Sequence, residues 1–188
     1  MIWLVSGIVL WAAIHFVPSV LPGFRSKMIS TMGAKPYSGV FALVVLAALI
    51  MIIAGWRSFI PVVVYVPPAW GANFAFLLMF AAVVLFGAAH AKTNIKRVIR
   101  HPQLTGMLFW AIAHIVSNGD SRSLILFTGL GLWAAAEMSL INHREGVWVK
   151  PERASVKSEV IGATVGVVVF LVLIALHPYF AGVSPLPA

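Results

Sequence analysis

The sequence predicts an all-α fold: a polytopic membrane protein forming one domain over residues 1–188, with a bundle of about six transmembrane helices. Three observations carry that expectation. Of the 188 residues, 61% are hydrophobic and 10% charged, with a mean hydropathy of +1.00; an ordinary soluble domain has roughly 45–50% apolar and about 25% charged residues. The apolar residues gather in runs of about 20, long enough to cross a hydrocarbon core about 30 Å thick. These runs are continuous rather than alternating. Only helices and closed barrels satisfy their backbone hydrogen bonds in lipid, so a helical bundle follows.

The spans can be placed in chain order. The first residues lack both a positive n-region and a small-residue cleavage site, so residues 2–21 read as a retained transmembrane segment rather than a signal peptide. The second span covers residues 37–56 and the third 72–91. Between them, residues 59–70 contain Pro61, Pro67 and Pro68 with Tyr65 and Trp70. That stretch is too proline-broken for a helix and suits the outer interface, where Tyr and Trp prefer to sit. The fourth span, 103–117, is short. Ser117-Asn118-Gly119-Asp120 then reads as a tight turn whose Asn and Asp cap the adjacent helix ends, and the last spans cover 121–141 and 159–180.

Charge orients the bundle. Eleven of the thirteen Lys and Arg residues fall in the first, third and fifth connectors, leaving only Arg57 and Arg122 for the second and fourth. The positive-inside rule therefore puts loops one, three and five in the cytoplasm and both termini outside it. On a chain this apolar, a net charge of +8 points to anionic lipid rather than nucleic acid. The sequence has no cysteine, so disulfides, thiolate metal sites and a catalytic thiol are excluded.

Ionisable side chains inside spans are costly and mark candidate functional positions. Here they are His15, His90, His114 and Glu137. Trp11-Ala-Ala-Ile-His15 and Trp110-Ala-Ile-Ala-His114 share one spacing, and Trp133-Ala-Ala-Ala-Glu137 repeats it with a carboxylate. Positions i and i+4 lie on one helix face, so each Trp packs a turn away from its polar residue. A flat aromatic beside a His suits a buried planar cofactor, and neutral imidazole suits iron or copper. The competing reading leaves each His as a hydrogen-bonded packing residue, with Glu137 as the counter-charge of Arg100 or Arg144. His90, near a helix end, complements the helix dipole, and His177 is interfacial. Arg100-His101-Pro102 opens the fourth span, where Pro suits the first helical position and free N–H groups favour an anion or a cofactor carboxylate. A cationic collar on anionic lipid is the other reading of that motif.

The ordered set Leu10-Trp-Ala-Ala-Ile-His15 with Pro18 and Arg25, Arg100-His101-Pro102 with Gly106, and Ala113-His114 with Ser117-Asn118-Gly119-Asp120 resembles the NnrU family of bacterial membrane proteins across essentially the whole chain. That resemblance implies a multi-pass protein of the bacterial inner membrane linked to nitrite and nitric oxide metabolism in denitrification. It extends to 15-cis-zeta-carotene isomerases, which implies haem b with His15 and His114 as iron ligands, Trp11 and Trp110 beside them, and a small apolar or nitrogen-oxide ligand. One departure is Ala111, three residues before His114, where the isomerase pattern has a cysteine. A second resemblance, over about residues 96–150, is to isoprenylcysteine carboxyl methyltransferases. It implies S-adenosylmethionine held by Arg100, His101 and Glu137. A non-enzymatic membrane assembly factor is the third alternative.

Overall fold

The structure, a computed structural model, describes residues 1–186. Among those residues there are seven α-helices: α1 (Ile2–Val20), α2 (Pro22–Met32), α3 (Ala34–Ser58), α4 (Gly71–His90), α5 (Pro102–Ser117), α6 (Ser121–Glu145) and α7 (Val156–Ala181). A 3-10 turn at Asn94–Arg97 links α4 to α5. A helix is found at each of the six expected spans. Of the described helices, α1, α3, α4, α6 and α7 are long and apolar enough to cross a membrane. The helix at the remaining expected position, α5, has 16 residues, as its short apolar run implies.

α2 corrects the sequence reading, which treats the basic first connector as a loop. Pro22 occupies the start of α2, where its fixed φ and missing N–H cost nothing. The helix runs until Gly33, which adopts a φ of 90° that other residues rarely take. None of its residues is buried. Residues 59–70 are non-helical as expected, apart from a turn at their end.

The chain forms two compact units. The first comprises Met1–Val64 and Asp120–Gly146 and contains α1, α2, α3 and α6. α1 packs against both α3 and α6. Its seam with α3 is built from small residues: a Cβ on Gly7 would stand 2.8 Å from the Ile52 nitrogen and 2.9 Å from the Ala48 carbonyl oxygen. A Cβ on Gly55 would come closer still to the Leu4 backbone, and Leu4 and Ala48 are fully buried along that seam. Lipid removes the hydrophobic drive between helices, so this close backbone packing is what holds them together. Arg122 closes the far end of the unit, donating to the Trp56 carbonyl at 3.1 Å with its guanidinium 4.0 Å from the Trp56 ring centroid.

The second unit comprises Tyr65–Gly119 and the chain from Val147, and contains α4, α5 and α7. α4 and α5 form a tight hairpin in which a Cβ on Gly106 would meet the Ala82 carbonyl oxygen at 3.0 Å. α7 packs on α4 through Phe170, whose ring lies 5.1 Å and 5.2 Å from those of Phe76 and Phe80. Glu159 in the first turn of α7 accepts from Thr93 Oγ1 and the Asn94 amide, tying the helix to the 3-10 turn.

Both expected caps are present. Asn118 Nδ2 donates to the His114 carbonyl at 2.9 Å. Asp120 Oδ1 accepts from the Ser123 amide at 3.0 Å at the start of α6. Burial pushes the Asp120 carboxyl up, but hydrogen bonds from Ser123 and the Arg122 charge outweigh it and leave the pKa below the ordinary aspartate value. Exposed Val and Leu side chains such as Leu43 and Leu46 on α3 and Val165 and Val168 on α7 form apolar helix faces that suit a lipid bilayer.

Candidate functional site

In the first unit the faces of α1 and α6 that carry His15 and Glu137 pack together. Trp11, His15 and Ser19 follow one another at i, i+4 and i+8 along α1, and Trp133 and Glu137 repeat the step on α6. The His15 ring lies 4.6 Å from Trp11, 5.0 Å from Trp133 and 5.4 Å from Phe41 of α3. Three aromatic rings on three helices thus surround one imidazole. His15 Nδ1 is 2.7 Å from the Trp11 carbonyl oxygen. A carbonyl can only accept, so Nδ1 carries the proton, and in the neutral ring Nε2 holds the lone pair. That is how metal-binding histidines are usually oriented.

One turn further along, Ser19 Oγ donates to Glu137 Oε1 at 2.7 Å. Glu137 is 6% exposed. Arg144 does not pair with it directly: Nη1 donates to the Pro18 carbonyl at 3.0 Å and to Ser19 Oγ at 3.2 Å, while Nη2 pairs with Glu145 at 3.0 Å. The expected counter-charge therefore reaches Glu137 only through a serine hydroxyl. Around His15, buried polar atoms lack partners: the indole nitrogens of Trp11 and Trp133 and Oε2 of Glu137. Buried donors and acceptors are nearly always satisfied, so each of these orphaned atoms calls for a partner.

In the second unit His114 repeats the local arrangement of His15. Its Nδ1 is 2.8 Å from the Trp110 carbonyl oxygen, and the two rings are 5.0 Å apart. His101 precedes the first turn of α5, where its carbonyl accepts from the Thr105 amide and hydroxyl. Arg100 lies just before it. His15 and Glu137 thus belong to the first unit, and Arg100, His101 and His114 to the second. His90 ends α4. His177, partly exposed near the end of α7, donates from Nδ1 to the Val183 carbonyl at 2.7 Å.

Sequence reasoning missed Ser19 and Phe41, and it placed Trp133 beside Glu137 alone. The recoverable signal was the shared four-residue step in both strings, Trp11-His15-Ser19 and Trp133-Glu137, which lets two rows of side chains mesh.

Among the described residues no group of three or more His, Asp or Glu side chains is gathered to hold a metal ion. A haem needs no such group, because its macrocycle supplies four iron ligands and the protein at most two. Each Trp-flanked, Nδ1-tethered imidazole fits that demand, and the orphaned polar atoms near His15 fit a cofactor with polar edges.

Fold and site together define a multi-pass α-helical membrane protein with two backbone-tethered histidines on its helices. The chain belongs to the NnrU family, whose model, described as NnrU protein, matches residues 3–185. It is also similar to the chloroplastic 15-cis-zeta-carotene isomerase of Zea mays, at 32% identity over 71 residues, covering 35% of this chain and 19% of the isomerase. The match therefore spans about a fifth of that relative's length. No solved structure matches the chain.

Proposed function

We propose that this protein is a haem b-binding membrane protein with isomerase-like redox chemistry, using His15 and His114 as iron ligands. The observation that carries this reading is the repeated local construction of the two histidines. Each tethers Nδ1 to the carbonyl of a Trp one turn earlier and lies against that Trp ring, so that Nε2 is the nitrogen left to ligate. When bound, haem would supply an iron centre able to take up and return one electron. The protein would supply orientation through the Trp11 and Trp110 carbonyls, an aromatic wall from Trp11, Trp133 and Phe41, and hydrogen bonds from the two unpartnered indoles. Isomerase-like chemistry is favoured over a nitrogen-oxide role because the similarity that names a reaction is to an isomerase.

The S-adenosylmethionine reading gains no comparable support. Glu137 accepts from Ser19 through one carboxylate oxygen, and the similarity found is to an isomerase rather than to a methyltransferase. The test is an absorption spectrum of protein purified after haem-replete expression. The expected result is a haem band that is lost or shifted in His15→Ala and in His114→Ala and unchanged in His177→Ala. Folded protein without the band, or an unaltered spectrum in both inner variants, overturns the reading.

A further inference from the structure

We propose that a cavity at the basic end of the first unit binds a phosphate group, presented either as a lipid headgroup or as the free ion. The cavity measures about 520 Å³ and is lined by Pro18, Pro22, Arg25, Tyr37, Phe41 and Arg144, together with Ser38. Ligand pockets typically enclose about 300–1,000 Å³, so the space exceeds what a bare ion needs and admits a headgroup with the start of its chain. Two guanidinium groups converge on it. Arg25 lies 5.9 Å from the centroid of the Tyr37 ring. Arg144, also in the lining, is held by the Pro18 carbonyl and Ser19 hydroxyl, with the exposed Glu145 as its ion-pair partner. An arginine already held in place loses little freedom when an anion arrives. Guanidinium forks also match the oxygen geometry of phosphate.

A second observation points the same way. The Tyr37 hydroxyl is buried and has no hydrogen-bond partner. An unpaired buried hydroxyl is costly, and an anionic oxygen would satisfy it. Two cations and one unsatisfied donor around a single cavity form an anion site, while Pro18, Pro22 and Phe41 give it apolar walls. Phe41 also lies against His15, so the cavity shares a wall with the aromatic cage without sharing its polar atoms.

Equilibrium binding of two labelled probes to the full chain in detergent, inorganic phosphate and dihexanoyl phosphatidic acid, tests the proposal. Saturable binding of at least one is expected. Arg25→Gln should weaken it about tenfold or more, because a charged hydrogen bond is lost, and Tyr37→Phe should weaken it less. Arg57→Gln, outside the cavity, should leave it unchanged. Arg25 is exposed and Tyr37→Phe keeps the ring, so neither variant threatens folding. Binding of both probes assigns the site to phosphate in general, and binding of phosphatidic acid alone assigns it to a lipid headgroup. No saturable binding of either, equal affinity in both variants, or equal displacement by dihexanoylglycerol, which lacks phosphate, overturns the proposal.

Discussion

With Ser19 Oγ 2.7 Å from Glu137 Oε1 and the other carboxyl oxygen unpartnered among the described residues, replacing Ser19 by alanine strips a buried carboxyl group of its hydroxyl donor. A buried polar group stripped of its partner costs about 1–3 kcal/mol. Ser19→Ala should therefore lower the thermal midpoint in detergent, and Ser19→Ala combined with Glu137→Met should recover most of the loss, since replacing both partners by apolar groups is nearly neutral. A double variant no more stable than Ser19→Ala alone would show that Glu137 is held by something other than Ser19. At this scale the sequence was informative about which residues matter and silent about their partners. Trp11, His15 and Glu137 announce themselves as aromatic or ionisable side chains at helical spacing. Ser19 looks like any small residue in a span, and Arg144 looks like the natural counter-charge. Only the pairing of α1 with α6 shows that the hydroxyl stands between them.

Helix seams built on glycine make a second prediction. Gly7→Val forces side-chain atoms into the Ala48 and Ile52 backbone, so overpacking should cost about 1–3 kcal/mol or more. Gly162→Ala on α7, where a Cβ meets nothing within 4 Å, should be neutral or stabilise by up to about 1 kcal/mol; paired denaturation curves compare the two. The start of α6 depends on Asp120. Asp120→Ala should cost roughly 1 kcal/mol, as loss of an N-cap does. Because the folded pKa of Asp120 is lowered, its contribution is fully present above the ordinary aspartate pKa and is lost as pH falls through the folded value. An acid unfolding profile should be less steep in the alanine variant. The Asp120 cap was legible because Asp before a helical run is a local signal. α2 was not, because its polar residues suggested a loop, and only Pro22 and Gly33 punctuate it.

Across the whole molecule, the six runs were readable because the cost of unpaired backbone in lipid acts on each span separately. Their grouping was not. α6 follows α5 in sequence yet packs on α1, which puts residues 120–146 in the first unit. Helix pairing in lipid rests on surface fit and small residues rather than on any pattern within one span. The charge bias supplies the prediction at this scale. A reporter fused after Lys150 should read cytoplasm and one after Ala188 the opposite side, because eleven of thirteen Lys and Arg residues sit in alternate connectors. Both reporters on one side of the membrane would contradict the orientation.

The brevity of α5 also bears on the bilayer that can host the protein. Sixteen residues rise only about 24 Å, some 6 Å less than a typical hydrocarbon core of about 30 Å. At one end of α5 the Gly119 carbonyl accepts from the Tyr65 amide at 3.1 Å, so an extended segment already covers part of the turn that would otherwise meet acyl chains. For α5 to cross the bilayer as the sequence expects, lipid beside it has to compress or leave polar backbone mismatched. Reconstitution into short-chain dimyristoleoyl bilayers should stabilise the protein relative to long-chain dierucoyl ones, so that membrane thickness itself acts on the helix that carries His114.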